Sequence, residues 1–250
     1  MAEFTVDTHL FRELGELLVG RDSTALIELI KNAYDADATE VLVYGEALDD
    51  VERGFIRISD NGIGMTPESF ETGFLRIASR SKESGERRSK NLQRRYTGEK
   101  GVGRLAAHKL ARLIEIDSIP AQNKTGESQK GIQASIDWDL VEGKETLDQL
   151  KDTDAVKLVA IPISGKAKSG TTITLKRLRR PWSQNELGKF LSEVRTFQPE
   201  LGLIKKIPAS VIDNKLLFVR PNLRDSYNPK ERVCVCFLFL RHIRFFAACL

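Results

Sequence analysis

At 250 residues, 41% hydrophobic and 30% charged, the chain can build one large domain, or one domain and part of a second, and its composition excludes a disordered or membrane-spanning chain. A net charge of +4 is too small to imply a nucleic-acid partner by itself. The 3 cysteines, Cys234, Cys236 and Cys249, crowd one end, and the start Met-Ala-Glu-Phe-Thr-Val-Asp has neither the basic nor the apolar region of a secretory signal, so a reducing, cytoplasmic setting is expected.

Apolar residues at Leu10, Phe11, Leu14, Leu17 and Leu18 have helical spacing, and Gly20 is placed to end that helix. Asp22 or Ser23 then caps a second helix running to about Ala38, with Leu26, Ile27, Leu29, Ile30 and Ala33 as its apolar face. On that helix Glu28 and Asn32 stand four residues apart, one nearly above the other, a carboxylate and an amide able to hold a water and a metal ion side by side. A surface acid and amide beside a buried stripe is the plainer reading of that pair alone.

Thr39 to Gly45 reads as a strand and Phe55 to Ser59 as its alternating neighbour, which puts Asp60 at a strand end, followed by Gly62, Gly64 and Met65. Binding groups often occupy such ends, where a sheet positions them and the loop beyond is free to meet a ligand. Pro67 and Glu68 suit the first turn of a helix towards Ile77. Ser79 to Tyr96 then lacks apolar periodicity and reads as a mobile lid. The overlapping stretch from Arg80 to Arg104 is basic, with nine Lys or Arg against three Glu. Tyr96 is the one aromatic in it, so a stacking platform for nucleic acid is not supported.

Gly98-Glu-Lys100-Gly101-Val102-Gly103-Arg104 opens a helix to about Leu113, with Leu105, Ala106, Leu110 and Ala111 inward. The block misses a P-loop, because Arg104 and Leu105 stand where Lys and Ser or Thr are required, and no strand or third spaced glycine supports a dinucleotide fold. Leu113 to Asp117, Gly131 to Asp139, Val156 to Ile161 and Thr171 to Leu175 read as further strands. Beyond Pro181, Ser183 and Glu186 form a capping box for a helix to about Phe197. The expected division is 1–178 for the main domain and 179–250 for a linker and a partial or truncated module. Val233 to Leu240 and Phe245 to Leu250 are apolar runs broken by Arg241, His242 and Arg244, each too short to cross a membrane, and both are expected to pack on the domain or on a partner.

The four blocks in this order, Glu28 to Asn32 with Asp35, Asp60-x-Gly62-x-Gly64, Gly98 to Gly103, and Gly170-Thr171, resemble the GHKL superfamily, whose Bergerat fold is shared by gyrase, the ninety-kilodalton heat-shock chaperones, histidine kinases and MutL. The likeness spans roughly residues 8–176, and the phrase Asn32-Ala-Tyr-Asp-Ala-Asp-Ala is closest in style to the chaperone, MutL and microrchidia branches. It implies a two-layer α/β sandwich, with helices over one face of a mixed, largely antiparallel sheet. It also implies ATP and magnesium as cofactors. By the resemblance Glu28 is the general base of slow ATP hydrolysis and Asn32 the magnesium ligand, with Asp35 a further acid. Asp60 accepts from the adenine amino group, Gly62, Gly64 and Met65 shape the base pocket, and Thr171 completes it. Gly98, Lys100, Gly101, Val102, Gly103 and Arg104 face the phosphates, with the helix dipole adding to them.

The resemblance further implies lid closure and nucleotide-dependent homodimerisation. A binding module that uses ATP as a switch, with negligible turnover, is the alternative. A histidine kinase is disfavoured, since His9 alone precedes the domain and no dimerisation helices do.

Overall fold

The computed structural model describes residues 5–76, 88–94, 96–97, 103–122, 129–164, 167–196 and 233–238. One sheet is built from β1 (Glu40–Glu46), β2 (Phe55–Asp60), β3 (Ala111–Ile119), β4 (Lys130–Asp137), β5 (Val156–Pro162), β6 (Gly170–Leu178) and β7 (Val233–Leu238). Their order is β5-β4-β3-β6-β2-β1-β7, and every pairing among the described strands is antiparallel. In β3 the inward series is Ile114, Ile116 and Ser118, whereas Glu115 and Asp117 face away, the period of two that one covered face requires.

Four longer helices supply that cover: α1 (Leu10–Leu18), α2 (Asp22–Asp35), α4 (Gly103–Leu110) and α6 (Gln184–Thr196). Between them come α3 (Pro67–Ser69), which continues as a wider π-type turn over Phe70–Leu75, and the short α5 (Trp138–Glu142). The α4 helix packs along α2 and α1, and α6 along α2. Ala106 and Ala107 are fully buried where small side chains let helix backbones approach. This is the two-layer α/β sandwich that the sequence led one to expect.

Several local expectations shift for identifiable reasons. Neither Asp22 nor Ser23 caps α2: Arg21 occupies the cap position in an extended conformation without a side-chain bond. Tertiary partners recruit both residues instead, Asp22 pairing with Arg180 at 2.9 Å and Ser23 donating to Glu193 on α6 at 3.2 Å. The Ser183–Glu186 box does form, with the Glu186 amide donating to Ser183 Oγ and the Ser183 amide to Glu186 Oε2. Trp182, Leu187, Phe190 and Leu191 join the central apolar cluster. On α1, Phe11 meets the Trp138 ring at 5.3 Å, while Leu10 and Leu17 are exposed. Of the two apolar runs near the end, Val233–Leu238 pairs with β1 and 239–250 lies outside the described residues. No helix among the described residues is long and apolar enough to cross a membrane.

Candidate functional site

Three strand ends create the site. Register places Asp60 of β2 opposite Thr171 of β6, and Thr171 opposite Ser118 of β3, so an acid and two hydroxyls stand in one row across one end of the central strands. Asp60 Oδ1 accepts from the Gly62 amide at 2.8 Å, and the backbone of Thr171 also hydrogen-bonds to the carboxylate. Burial nevertheless dominates and pushes the Asp60 carboxyl up to about 6, with the two backbone bonds pulling the other way. Such a carboxylate is under-solvated and poised to accept a hydrogen bond from a ligand N–H.

Ser118 was not singled out from the sequence. Buried to 1%, its hydroxyl meets Thr171 Oγ1 at 2.8 Å, accepts from the Met65 amide at 2.8 Å and lies 3.1 Å from the Gly170 carbonyl. It fastens the loop after β2 to the sheet. The available signal was a serine at the inward position of an Ile114, Ile116 alternation. Asn61, also missed, accepts from the Thr39 and Glu40 amides through Oδ1 at 2.8 and 2.9 Å and donates to Thr39 Oγ1, tying the start of β1 to the end of β2.

The loop follows from its glycines. Gly64 has φ +63°, and a Cβ there would lie 2.0 Å from the Ile119 carbonyl oxygen; one at Gly170 would lie 2.1 Å from that of Asp60. Both positions demand glycine, because backbone passes where a side chain would begin. Hydrogen bonds from the Ile63 amide to Ala36 and from the Ala121 amide to Ile63 hold the loop between α2 and the end of β3. Met65 packs, partly buried, against the core.

On α2, Glu28 and Asn32 are both half-buried on the same side, one turn apart. Glu28 Oε1 accepts from Lys31 Nζ at 2.7 Å, so this carboxylate already has a cationic neighbour. Asp35 accepts from the Thr97 amide at 2.8 Å and from its hydroxyl at 2.9 Å, an intramolecular use of the third residue of the motif. Asp37, in the left-handed region at φ +62°, accepts from the Asn91 and Leu92 amides at 2.8 and 3.2 Å.

Arg94, 6% exposed, closes this corner. Its guanidinium lies 4.5 Å from the centre of the Tyr34 ring and donates to the Tyr34 and Ala38 carbonyls, bracing the chain where it leaves α2. The stretch 79–96, expected to move as one lid, is therefore anchored over its described C-terminal half, residues 88–94. Residues 77–87 lie outside the described residues. Replacing Asp37 by glycine, which keeps the left-handed backbone available, should remove two acceptors at a cost of about 1–3 kcal/mol to local closure. Amide exchange at Asn91 and Leu92 should accelerate by roughly ten- to a hundredfold, and unchanged exchange would show that the carboxylate does not hold the segment.

Of the phosphate block, Gly98, Lys100, Gly101 and Val102 lie outside the described residues. Gly103 begins α4 and Arg104 follows within it. The structure thus brings Asp60, Gly62, Gly64, Met65 and Thr171 together at one sheet end, and it places Glu28, Asn32 and Asp35 on the neighbouring α2.

Among relatives, the chain is 31% identical over 141 residues to a putative type II restriction enzyme, HgiDII, of Herpetosiphon aurantiacus, covering 54% of this chain and 22% of that protein. It is 52% identical over 44 residues to the ATPase MORC2B of Mus musculus, 17% of this chain and 4% of the relative. Over 61 residues it is 41% identical to the DNA mismatch repair protein MutL of Lacticaseibacillus casei (strain BL23), 24% of this chain and 9% of the relative. The chain thus matches only a minor part of the length of each. A family model described as histidine kinase-, DNA gyrase B- and HSP90-like ATPase matches residues 21–171, from the residue before α2 to the threonine beside Asp60. With well over half its length so matched, the chain belongs to the histidine kinase-, DNA gyrase B- and HSP90-like ATPases, the GHKL superfamily.

Proposed function

We propose that the chain binds ATP with its adenine against Asp60, and that it hydrolyses the nucleotide slowly to drive lid closure or dimerisation. The observation that carries this reading is the under-solvated Asp60 carboxylate, held by backbone N–H groups in a row with Thr171 and Ser118. An adenine amino group donates to such an acceptor, whereas guanine presents an oxygen at the corresponding position and would face the carboxylate with like polarity.

The surroundings fit a nucleotide and a magnesium ion. Among the described residues no group of three or more His, Cys, Asp and Glu is placed to hold a metal ion, so a magnesium at Asn32 would take most of its oxygens from triphosphate and water, the usual pattern for this ion. Bound there, magnesium would neutralise phosphate charge. Asn32 would offer an amide oxygen, and Glu28, one turn earlier, would orient water and accept its proton. Residues 98–102 and the α4 N-terminus would supply N–H groups to the phosphates.

Calorimetric titration with nonhydrolysable ATP and GTP analogues in magnesium tests the reading. ATP-analogue binding at least tenfold tighter than GTP-analogue binding is expected, and equal affinities would contradict the adenine assignment.

One observation favours the switching alternative. The Lys31 ammonium sits 2.7 Å from Glu28 Oε1, on an oxygen that an attacking water would otherwise approach. A chain that keeps this pair when ATP is bound would use nucleotide for conformational change with negligible turnover.

Asp60 also has a stability consequence. Its folded carboxyl titrates near 6, above the 3.8 of an unperturbed aspartate, so folding favours the protonated form. The apo fold is penalised above pH 6, and the penalty vanishes below about pH 4; two pH units correspond to at most roughly 3 kcal/mol. Asp60→Asn should therefore stabilise the apo protein by about 1–3 kcal/mol at pH 7 and by almost nothing at pH 4, read from urea unfolding at the two pH values. Equal effects at both pH values would remove the titration from the explanation.

A further inference from the structure

At the end of the sheet opposite Asp60 lies a cavity of about 410 Å³ between α1, the C-terminal end of α4, the start of β3 and the residues just after β6. Among the described residues its lining is Arg12, Lys109, Arg112, Arg179, Arg180 and His108, together with Gly15, with no carboxylate and no Phe, Tyr or Trp among them. Register separates it from the nucleotide site: Ala111 pairs with Leu178 here, and Ser118 with Thr171 there, seven residues or roughly 23 Å along β3. The two sites are distinct.

Five cations around one hollow repel one another unless something offsets them. Part of the compensation is internal, from carboxylates that pair with the arginines. Arg179 donates to Glu142, Arg112 pairs with Glu52 and lies 3.6 Å from Asp139, and Arg180 pairs with Asp22. These pairs also orient the guanidinium groups, as a preformed site requires.

A second observation points into the hollow. His108, 2% exposed, has its Nε2 within 2.8 Å of Glu142 Oε1 and 2.7 Å of Arg179 Nη2, while its buried Nδ1 has no hydrogen-bond partner. That Nδ1 faces Gly15, where a Cβ would lie 3.2 Å away; both residues line the cavity. Burial and then the Arg179 charge push His108 down to about 4, so the ring is neutral at physiological pH. Nε2 is thus engaged between the Glu142 carboxylate and the Arg179 guanidinium, and Nδ1 is left as the unpartnered ring nitrogen. Lys109 next to it is only 4% exposed. Buried polar groups beneath arginines are a different object from a solvated charge face.

We propose that this cavity is a binding site for phosphate groups, those of a free polyphosphate or of a nucleic-acid strand, with Arg12 and Arg112 at its mouth and Arg179 and Lys109 deeper in its wall. Arginine forks suit phosphate oxygens, and the volume exceeds that of a single phosphate. With no aromatic ring among its described lining residues, the site reads phosphate and not base.

Two probes separate the sources: inorganic tripolyphosphate by calorimetry, and a fluorescein-labelled 20-base-pair DNA duplex by anisotropy across a salt series. Each is measured on the full chain, on Arg12→Glu, on Arg112→Gln and on Lys189→Gln, a control that removes a charge from the exposed face of α6. Circular dichroism reports whether each variant is folded. Arg12 is exposed, so its substitution leaves packing intact.

The site predicts that both pocket variants weaken binding by about tenfold or more, and that the control does not. Loss with tripolyphosphate alone assigns a free polyphosphate. Loss with the duplex, and a salt slope reduced by about one for each lost contact, assigns a strand. If neither probe binds the parent, if the pocket variants bind as the parent does, or if Lys189→Gln weakens binding equally, the proposal is overturned.

Discussion

Glu28→Ala should bind ATP about as well as the parent and lose turnover by roughly a hundredfold or more, the range for removal of a general base. The two residues one turn apart on α2 separate in this experiment. Asn32→Ala should weaken magnesium-dependent binding and thereby lower both measures. The ion pair with Lys31 sharpens the test, because Lys31→Ala frees Glu28 Oε1 without touching the carboxylate. If Glu28 is the base, Lys31→Ala retains turnover that Glu28→Ala abolishes. A Glu28→Ala protein that hydrolyses ATP at a parent rate above background would show that Glu28 is not the base. A parent without turnover whose oligomeric state still responds to ATP would establish the switching module.

The largest structural effect is expected at Gly64. An alanine there must hold φ +63° and place its Cβ 2.0 Å from the Ile119 carbonyl oxygen, with the Pro120 Cα at 3.0 Å. Backbone cannot yield as a side-chain tip can, so the loop has to leave its place. Moving it breaks the Met65 amide bond to Ser118 and the Ala121 amide bond to Ile63. Left-handed strain alone costs about 1–2 kcal/mol, and with the clash the total should exceed roughly 3 kcal/mol. Thermal unfolding of Gly64→Ala should show a midpoint lower by many degrees and no measurable nucleotide binding. A parent-like midpoint would mean that this loop does not adopt the described path.

Features resting on one element and its own period were legible in the sequence. The spacing of Glu28 and Asn32 over an apolar stripe gave α2 and the side on which the two stand, and strand alternation before Asp60 put that carboxylate at a sheet end. The Ser183–Glu186 box appeared where its four-residue signature placed it. What escaped depends on partners distant in the chain. Asp22 and Ser23 are good capping residues, yet Arg180 and Glu193, over 150 residues away, take them. Asp35 read as a further acid of the ligand motif and Asp37 had no assigned role, and only the fold shows them holding Thr97 and the amides of Asn91 and Leu92. Arg94 looked like one cation in a basic lid, because nothing local tells a solvated arginine from one laid on the Tyr34 ring. Ser118 left a faint local trace, a hydroxyl where the alternation of β3 calls for an aliphatic side chain.

The central claim, that Asp60 is the adenine acceptor, is tested most directly by calorimetry of Asp60→Asn with a nonhydrolysable ATP analogue and magnesium at pH 7. The amide keeps the size of the side chain and an oxygen for the Gly62 N–H, but it turns an NH2 towards the adenine amino group. A lost charge-assisted bond facing an added donor should cost about 1.5–3 kcal/mol or more, a weakening of at least roughly tenfold. The account predicts that loss in a variant as well folded as the parent, and unchanged affinity in such a variant would contradict it.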